Sequence, residues 1–158
     1  PLHLGVTETG TEWNGTIQSA VGIGTLLNEG IGDTIRVSLT ADPVREVSAG
    51  IAILKAAGAR SGGVKFVSCP TCGRTEIDLI SLATEVEKRV RSMPRDITVA
   101  VMGCVVNGPG EAREADYGIA GGRDKGIIFK KGKVLGTYPY ERLCDALIEL
   151  IEKDEEIG

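Results

Sequence analysis

Aromatic side chains are scarce in this 158-residue sequence, which has one tryptophan, three tyrosines and two phenylalanines. The chain is also slightly acidic, with 22 acidic and 18 basic side chains and a net charge of −4 at pH 7. Domains that bind nucleic acid usually carry a basic face and aromatic platforms on which bases stack. We therefore expect no nucleic-acid partner.

Long apolar runs are missing as well. The longest, residues 99–106 with its glycine counted, has 8 residues, whereas a membrane-spanning helix needs about 20. The sequence also shows no signal-peptide pattern. These absences predict a cytoplasmic protein without membrane contact, and 25% charged residues together with 42% hydrophobic ones are typical of a folded domain.

The order of apolar patterns in the first 58 residues predicts alternating strands and helices, which is typical of an α/β fold. The predicted elements lie at residues 2–7, 16–28, 34–39 and 43–57. Asp42 is the expected N-cap of the second helix, with Pro43 at its first position. Two βα units cannot cover both faces of a parallel sheet. Residues 1–58 therefore resemble the end of a larger α/β domain.

A glycine-rich stretch, residues 59–63, predicts a hinge, and the pattern restarts as a second α/β domain over residues 64–158. Its predicted strands lie at residues 64–67, 97–102, 117–120, 126–129 and 134–136, and its helices at 76–91 and 139–153. The lysines at 130, 131 and 133 form a charged turn. It could attract an acidic electron donor, or more simply keep strands from pairing wrongly.

Three of the four cysteines follow predicted strands of the second domain. Cys69 and Cys72 form a CxxC motif, and Cys104 comes 32 residues later. Four cysteines are too few for a disulfide scaffold, which leaves metal binding, redox chemistry or core packing. Because both loops would open at one sheet edge, we expect these three thiols to converge on one metal centre. Cys144 lies on an apolar helical face and is predicted to be a core residue.

The loop after Cys104 adds a carboxylate, Glu111, to the three thiols. Such a set suits an iron–sulfur cluster with one distinct iron, and it also suits a structural zinc site. Carboxylate is the harder, weaker ligand for a cluster, so an iron held by Glu111 would be exchangeable. A thioredoxin-like dithiol using the CxxC alone is a third possibility. Asn107, in the same loop, is a candidate substrate contact or an ordinary loop hydrogen-bonding group.

Polar residues also stand at strand ends in the first domain. Glu8 ends the first predicted strand, and Arg36 and Ser38 lie on the second. The C-terminal ends of strands hold the active groups of α/β barrels. A guanidinium beside a hydroxyl suits phosphate oxygens. Without further information, Glu8 is more simply a solvated turn residue.

Four motifs, in order along nearly the whole chain, resemble the C-terminal half of the 4-hydroxy-3-methylbut-2-enyl diphosphate synthase family. They are PLHLGVTE at 1–8, EGIGDTIRVSL at 29–39, CPTCGR at 69–74 and GCVVNGPGEA at 103–112. The resemblance implies that residues 1–58 are the last two βα units of a TIM-type barrel. It implies that residues 64–158 are a small α/β iron–sulfur domain similar to a module of sulfite reductases.

The resemblance also implies an activity of the non-mevalonate isoprenoid pathway. This is the reductive ring opening of 2-C-methyl-D-erythritol 2,4-cyclodiphosphate to 4-hydroxy-3-methylbut-2-enyl diphosphate. The implied cofactor is a 4Fe–4S cluster held by Cys69, Cys72, Cys104 and Glu111. Ferredoxin or flavodoxin is the expected electron donor.

On the substrate side, the resemblance assigns the diphosphate to Arg36 and Ser38 and turns Glu8 toward the substrate. Earlier barrel strands, which carry much of the family's diphosphate clamp, are not in this sequence. The resemblance further implies a homodimer, in which the cluster domain of one chain covers the barrel of the other.

Overall fold

A computed structural model of the chain describes residues 1–104 and 112–156. The chain divides into two compact units, Pro1–Ser61 and Gly62–Gly158, and this division falls within the glycine-rich stretch 59–63. None of the helices in the described ranges is long and apolar enough to cross a membrane.

The first unit consists of two parallel strands, each followed by a helix, as the sequence predicts. Its elements are β1 (His3–Gly5), α1 (Glu12–Asn28), β2 (Thr34–Arg36) and α2 (Pro43–Ala56). The register pairs His3 with Thr34 and Gly5 with Arg36. Its small core is a cluster of four buried aliphatic side chains, Leu4, Ile23, Val37 and Ile53.

Strand β2 ends at Arg36, earlier than the predicted end at residue 39. After Arg36, backbone groups form hydrogen bonds with side chains instead of with a neighbouring strand. The Thr9 hydroxyl donates to the Ser38 carbonyl at 2.5 Å, and the Leu39 N–H donates to the Glu46 carboxylate at 2.7 Å. The segment after β2 is therefore held in place without belonging to the ladder.

Both helices of the first unit have defined beginnings. Helix α2 begins as predicted, because the Asp42 carboxylate accepts a hydrogen bond from the Val44 N–H at 2.9 Å and Pro43 occupies the first position. Helix α1 begins at Glu12 and not at residue 16.

An apolar stripe on α1 is exposed. Trp13, Ile17 and Val21 recur every fourth residue and are 76%, 46% and 66% exposed. Residues at that spacing share one helix face, which normally packs against a neighbour. This is the kind of surface that an adjoining element covers in a larger α/β domain.

The second unit is built on a five-stranded sheet in the order β3-β4-β5-β6-β7. The strands are β3 (Lys65–Ser68), β4 (Thr98–Met102), β5 (Tyr117–Gly121), β6 (Lys125–Lys130) and β7 (Lys133–Pro139). The first three are parallel, and the β5–β6 and β6–β7 pairs are antiparallel. The helices are α3 (Leu79–Val90) and α4 (Leu143–Glu156), the latter preceded by a 3₁₀ turn at Tyr140–Arg142.

The main core lies between the sheet and these two helices, and it contains Cys144. The side chain of Cys144 is 4% exposed, and the Arg89 guanidinium lies 3.7 Å from its sulfur. Burial, followed by the nearby Glu85 carboxylate, raises the pKa of Cys144 to about 11. The prediction that Cys144 is a core residue is confirmed.

Candidate metal centre

The parallel strands β3 and β4 bring two cysteine-bearing loops to one edge of the sheet. Cys69 directly follows β3, and Cys104 lies just beyond the end of β4 at Met102. Ser68 pairs with Val101, so the loops leave the sheet side by side. The Cys69 N–H continues this pairing by donating to the Val101 carbonyl at 3.4 Å.

Three thiols line one cavity of about 250 Å³ at this edge. Its walls are Cys69, Pro70, Cys72, Arg74, Thr75, Gly103 and Cys104. Cys104 is buried, Cys69 is half-buried and Cys72 is exposed. The cavity therefore opens to solvent on the Cys72 side, and the structure brings together the three thiols that the sequence singled out.

Hydrogen-bond donors in the cavity wall are directed at two of the sulfurs. The Gly103 N–H donates to the Cys69 sulfur at 3.2 Å. The pKa of Cys72 is lowered, first by the backbone N–H of Arg74 and then by the Thr75 hydroxyl. Thiolate is the metal-binding form of cysteine, so the donors at Cys72 favour the form in which this residue binds a metal.

A zinc ion and an iron–sulfur cluster make different demands on the three thiols. Within residues 1–104 and 112–156, no three cysteine, histidine or carboxylate side chains are grouped closely enough to hold a single metal ion. A zinc ion binds all its cysteines at about 2.3 Å from one point. A cluster has several irons, each with its own protein ligand. The three thiols are therefore compatible with either kind of metal group, and the choice between them stays a prediction from the sequence.

Two of the predicted site residues, Asn107 and Glu111, lie outside the described residues. The fourth ligand position and the loop substrate contact therefore stay predictions from the sequence.

The other candidate residues lie at the C-terminal edge of the strand pair in the first unit. Glu8 is exposed and has a left-handed φ of 59°, a strained conformation for a residue with a side chain, of a kind that clusters at functional sites. The Arg36 guanidinium lies over Gly5, where an added Cβ would be 3.3 Å from Nη2. Ser38 is half-buried, and its carbonyl is tied to the Thr9 hydroxyl. The structure thus brings Glu8, Arg36 and Ser38 to one edge.

The lysine turn lies far from the thiols. Lys130 pairs with Tyr117 at the start of β5, whereas Gly126 pairs with Gly121 at its end. Since β5 runs parallel to β4, the cysteines and the turn occupy opposite edges of the sheet. The length of β6 separates these edges by about 17 Å. The interpretation as a charged turn is therefore favoured over donor attraction next to the thiols.

Sequence reasoning did not single out Thr75, which connects the two cysteine loops. The Cys72 N–H donates to the Thr75 hydroxyl at 3.1 Å, and the Thr75 N–H donates to the Cys72 carbonyl at 3.0 Å. A threonine three residues after a cysteine suits such a turn. That spacing is the signal that could have identified it.

A βαβα unit joined to a sheet with three thiols at one edge defines a two-part α/β protein with a cysteine-lined site. Residues 65–153 match the GcpE protein C-terminal domain, and residues 1–51 match the GcpE TIM-barrel domain. The chain belongs to the GcpE protein family.

Three curated relatives of the chain share the name 4-hydroxy-3-methylbut-2-en-1-yl diphosphate synthase (flavodoxin). The relative from Clostridium perfringens (strain 13 / Type A) is 64% identical and that from Clostridium acetobutylicum 65%, both over 152 residues, covering 96% of this chain and 44% of the relative. The relative from Geobacter sulfurreducens is 60% identical over 153 residues, covering 97% of this chain and 43% of the relative. The resemblance seen in the sequence motifs is confirmed, and the chain spans less than half the length of these relatives.

Proposed function

We propose that the protein containing this chain reductively opens 2-C-methyl-D-erythritol 2,4-cyclodiphosphate to 4-hydroxy-3-methylbut-2-enyl diphosphate. The observation that carries this proposal is the cavity lined by Cys69, Cys72 and Cys104, in a chain whose relatives bear that synthase name. The reaction consumes two electrons and two protons, breaks a ring C–O bond to phosphate and releases one hydroxyl as water. An electron-carrying cofactor is therefore required.

In this proposal, residues 1–58 supply the last two βα units of a TIM-type barrel. Residues 59–63 form the hinge, and residues 64–158 form the cluster domain, similar to a module of sulfite reductases. The parallel strand pair of the first unit and the exposed apolar stripe on α1 support the barrel assignment. The match of residues 1–51 to a TIM-barrel domain supports it independently.

The cofactor is a 4Fe–4S cluster, with Cys69, Cys72, Cys104 and Glu111 as its ligands. When bound, it supplies electrons singly and acts as a Lewis acid at the iron held by Glu111. The chain prepares for it with the Gly103 N–H directed at the Cys69 sulfur and with the donors that lower the pKa of Cys72.

The substrate-side roles follow from position at the strand edge. Arg36 and Ser38 bind diphosphate oxygens, a guanidinium being well matched to phosphate geometry. Gly5 leaves the room in which the guanidinium lies. Loss of a hydroxyl as water consumes a proton, and Glu8 is a titratable side chain at the same edge that can move one. Asn107 contacts the substrate from the cysteine loop.

The electron donor is flavodoxin, as the name of the relatives indicates for those proteins, or ferredoxin. The protein works in the cytoplasm as a homodimer, in which the cluster domain of one chain covers the barrel of the other.

Glu111 provides the sharpest test, in the full-length protein purified without oxygen. Iron and sulfide per chain are measured beside product formation with a chemical reductant. Glu111→Ala is expected to weaken cluster retention, and Glu111→Cys to keep a cluster, held by a softer ligand, but to suppress ring opening. Wild-type turnover in Glu111→Cys would remove the Lewis-acid role and leave the cluster as an electron relay.

The same preparation separates the alternatives. A structural zinc module would be colourless and contain zinc in place of iron and sulfide. A dithiol protein would retain its activity in Cys104→Ser, whereas a cluster enzyme loses iron and activity together. Colourless protein with zinc, or an active Cys104→Ser variant, would overturn the proposed function.

A further inference from the structure

Thr75 is the point where the loop carrying Cys72 meets the loop carrying Cys104. Its side chain lines the same cavity as the three thiols. Its hydroxyl accepts a hydrogen bond from the Cys72 N–H at 3.1 Å and faces the Cys72 sulfur at 4.0 Å as a donor. Its own N–H donates to the Cys72 carbonyl at 3.0 Å. One residue therefore holds the backbone of Cys72 and also directs a hydroxyl donor toward its sulfur.

On its other side Thr75 packs against Gly103, the residue before Cys104. A Cβ added to Gly103 would lie 3.0 Å from both the Thr75 hydroxyl oxygen and its methyl carbon. The Gly103 carbonyl accepts from the Glu76 N–H at 3.3 Å, and the Gly103 N–H donates to the Cys69 sulfur at 3.2 Å. A side chain at this position would crowd Thr75 by a few tenths of an ångström, and it would crowd Leu79 as well, whose Cδ2 would lie at the same 3.0 Å.

We propose that Thr75 is a positioning residue that joins the two cysteine loops and stabilises the reduced state of a bound cluster through its hydroxyl. The inference rests on the proposed function, since it requires a cluster at this site. Reduction adds negative charge to the cluster and its thiolates. A donor directed at a ligand sulfur stabilises that charge and makes the reduction potential more positive.

The test uses the full-length protein, reconstituted without oxygen, with three variants. Thr75→Val removes the hydroxyl and keeps the shape, Thr75→Ser keeps the hydroxyl, and Thr84→Val is the matched control. Among the described residues, the Thr84 hydroxyl donates within α3, to the Ile80 carbonyl. Two quantities are measured: the rate at which an iron chelator removes the cluster, and the midpoint potential from a redox titration followed by electron paramagnetic resonance.

Thr75→Val is expected to lose its cluster at least about tenfold faster than the parent, the scale for losing a group that orients a metal ligand. Its potential shifts to more negative values. Thr75→Ser restores both quantities toward the parent, and Thr84→Val leaves them unchanged. A purely structural role for Thr75 would not move the potential of the clusters that remain bound.

A parent midpoint potential in Thr75→Val would overturn the inference even if the cluster is lost faster, and so would Thr75→Ser behaving like Thr75→Val. If Thr75→Val does not fold, Thr75→Ala replaces it, because it removes the same hydroxyl and adds no methyl group. It must shift the potential in the same direction. A parent protein without iron and sulfide would overturn the proposed function and this inference together, whereas unresponsive variants of a loaded parent overturn this inference alone.

Discussion

Gly121 is the residue at which a single methyl group should disturb both the stability of the second unit and its thiol cavity. It ends β5, and Ile77 packs directly over it, so that an added Cβ would lie within 3.0 Å of three side-chain carbons of Ile77. Ile77 follows Glu76, whose N–H is bound to the Gly103 carbonyl. Gly121→Ala therefore pushes on the segment that carries Thr75 and contacts the cysteine loop.

Overpacking of this kind costs about 1–3 kcal/mol, and contact with three carbons favours a value of about 2 kcal/mol. For a domain of this size, each kcal/mol lowers the melting temperature by about 4–8 °C, which gives a fall of about 8–16 °C. Near-UV circular dichroism of tyrosine follows this unit selectively, because Tyr117, Tyr138 and Tyr140 are the chain's only tyrosines and its single tryptophan, Trp13, lies in the other unit.

Two further variants test whether the contact between Gly121 and Ile77 causes the loss of stability. Ile77→Ala removes all three crowded carbons, so the double variant with Gly121→Ala should be destabilised less than the sum of the two single changes, by about 2 kcal/mol. Gly73→Ala is the control for melting, since nothing lies within 4 Å of its Cβ. Melting of Gly121→Ala at the parent temperature, or strict additivity with Ile77→Ala, would show that the contact does not cause the effect.

Three other outcomes are expected. Hydrogen bonds from Lys130 and then Tyr117 lower the pKa of Asp154. Their contribution to stability is therefore complete above the ordinary aspartate pKa of about 3.9 and is lost as pH falls from there through the pKa of the folded protein. In an acid titration, the stability of Asp154→Asn should fall less steeply than that of the parent. Cys144→Ala should keep its full iron content, and iron loss without unfolding would make Cys144 a ligand. The fragment of residues 1–58 should show no cooperative thermal transition in calorimetry, since two βα units leave a parallel sheet uncovered, and a sharp melt would contradict the barrel assignment.

The order of elements could be predicted because local signals fix it. The Asp42–Pro43 pair marks the beginning of α2, and apolar periodicity marks the helices on the core. Helix α3 shows the limit of such signals. Its predicted start at residue 76 is wrong, and it begins at Leu79, capped by the Asp78 carboxylate on the Ser81 N–H. The preceding residues are instead held by Gly103 and Gly121, contacts between segments distant in sequence that no local pattern encodes.

The candidate site also has a part that local sequence signals predict and a part that they do not. Cys69, Cys72 and Cys104 could be identified because thiols after neighbouring parallel strands must meet at one edge. The contact of Thr75 with Gly103 depends on how closely two loops approach, which strand order alone does not specify. The distance between the lysine turn and the thiols could not be predicted without the sheet topology, because the antiparallel direction of β6 places the turn at the opposite edge.

The unequal exposure of the cysteines sets the order in which oxidants reach them. Cys72 is exposed with a lowered pKa, whereas Cys144 is buried with its pKa raised to about 11. The thiolate is the species that peroxides attack. In a site without a cluster, air therefore oxidises Cys72 first, and Cys144, which is not a ligand, stays reduced longest. A thiol count after aerobic handling therefore understates the damage. A molecule that still shows a free thiol, that of Cys144, can already be unable to bind a cluster.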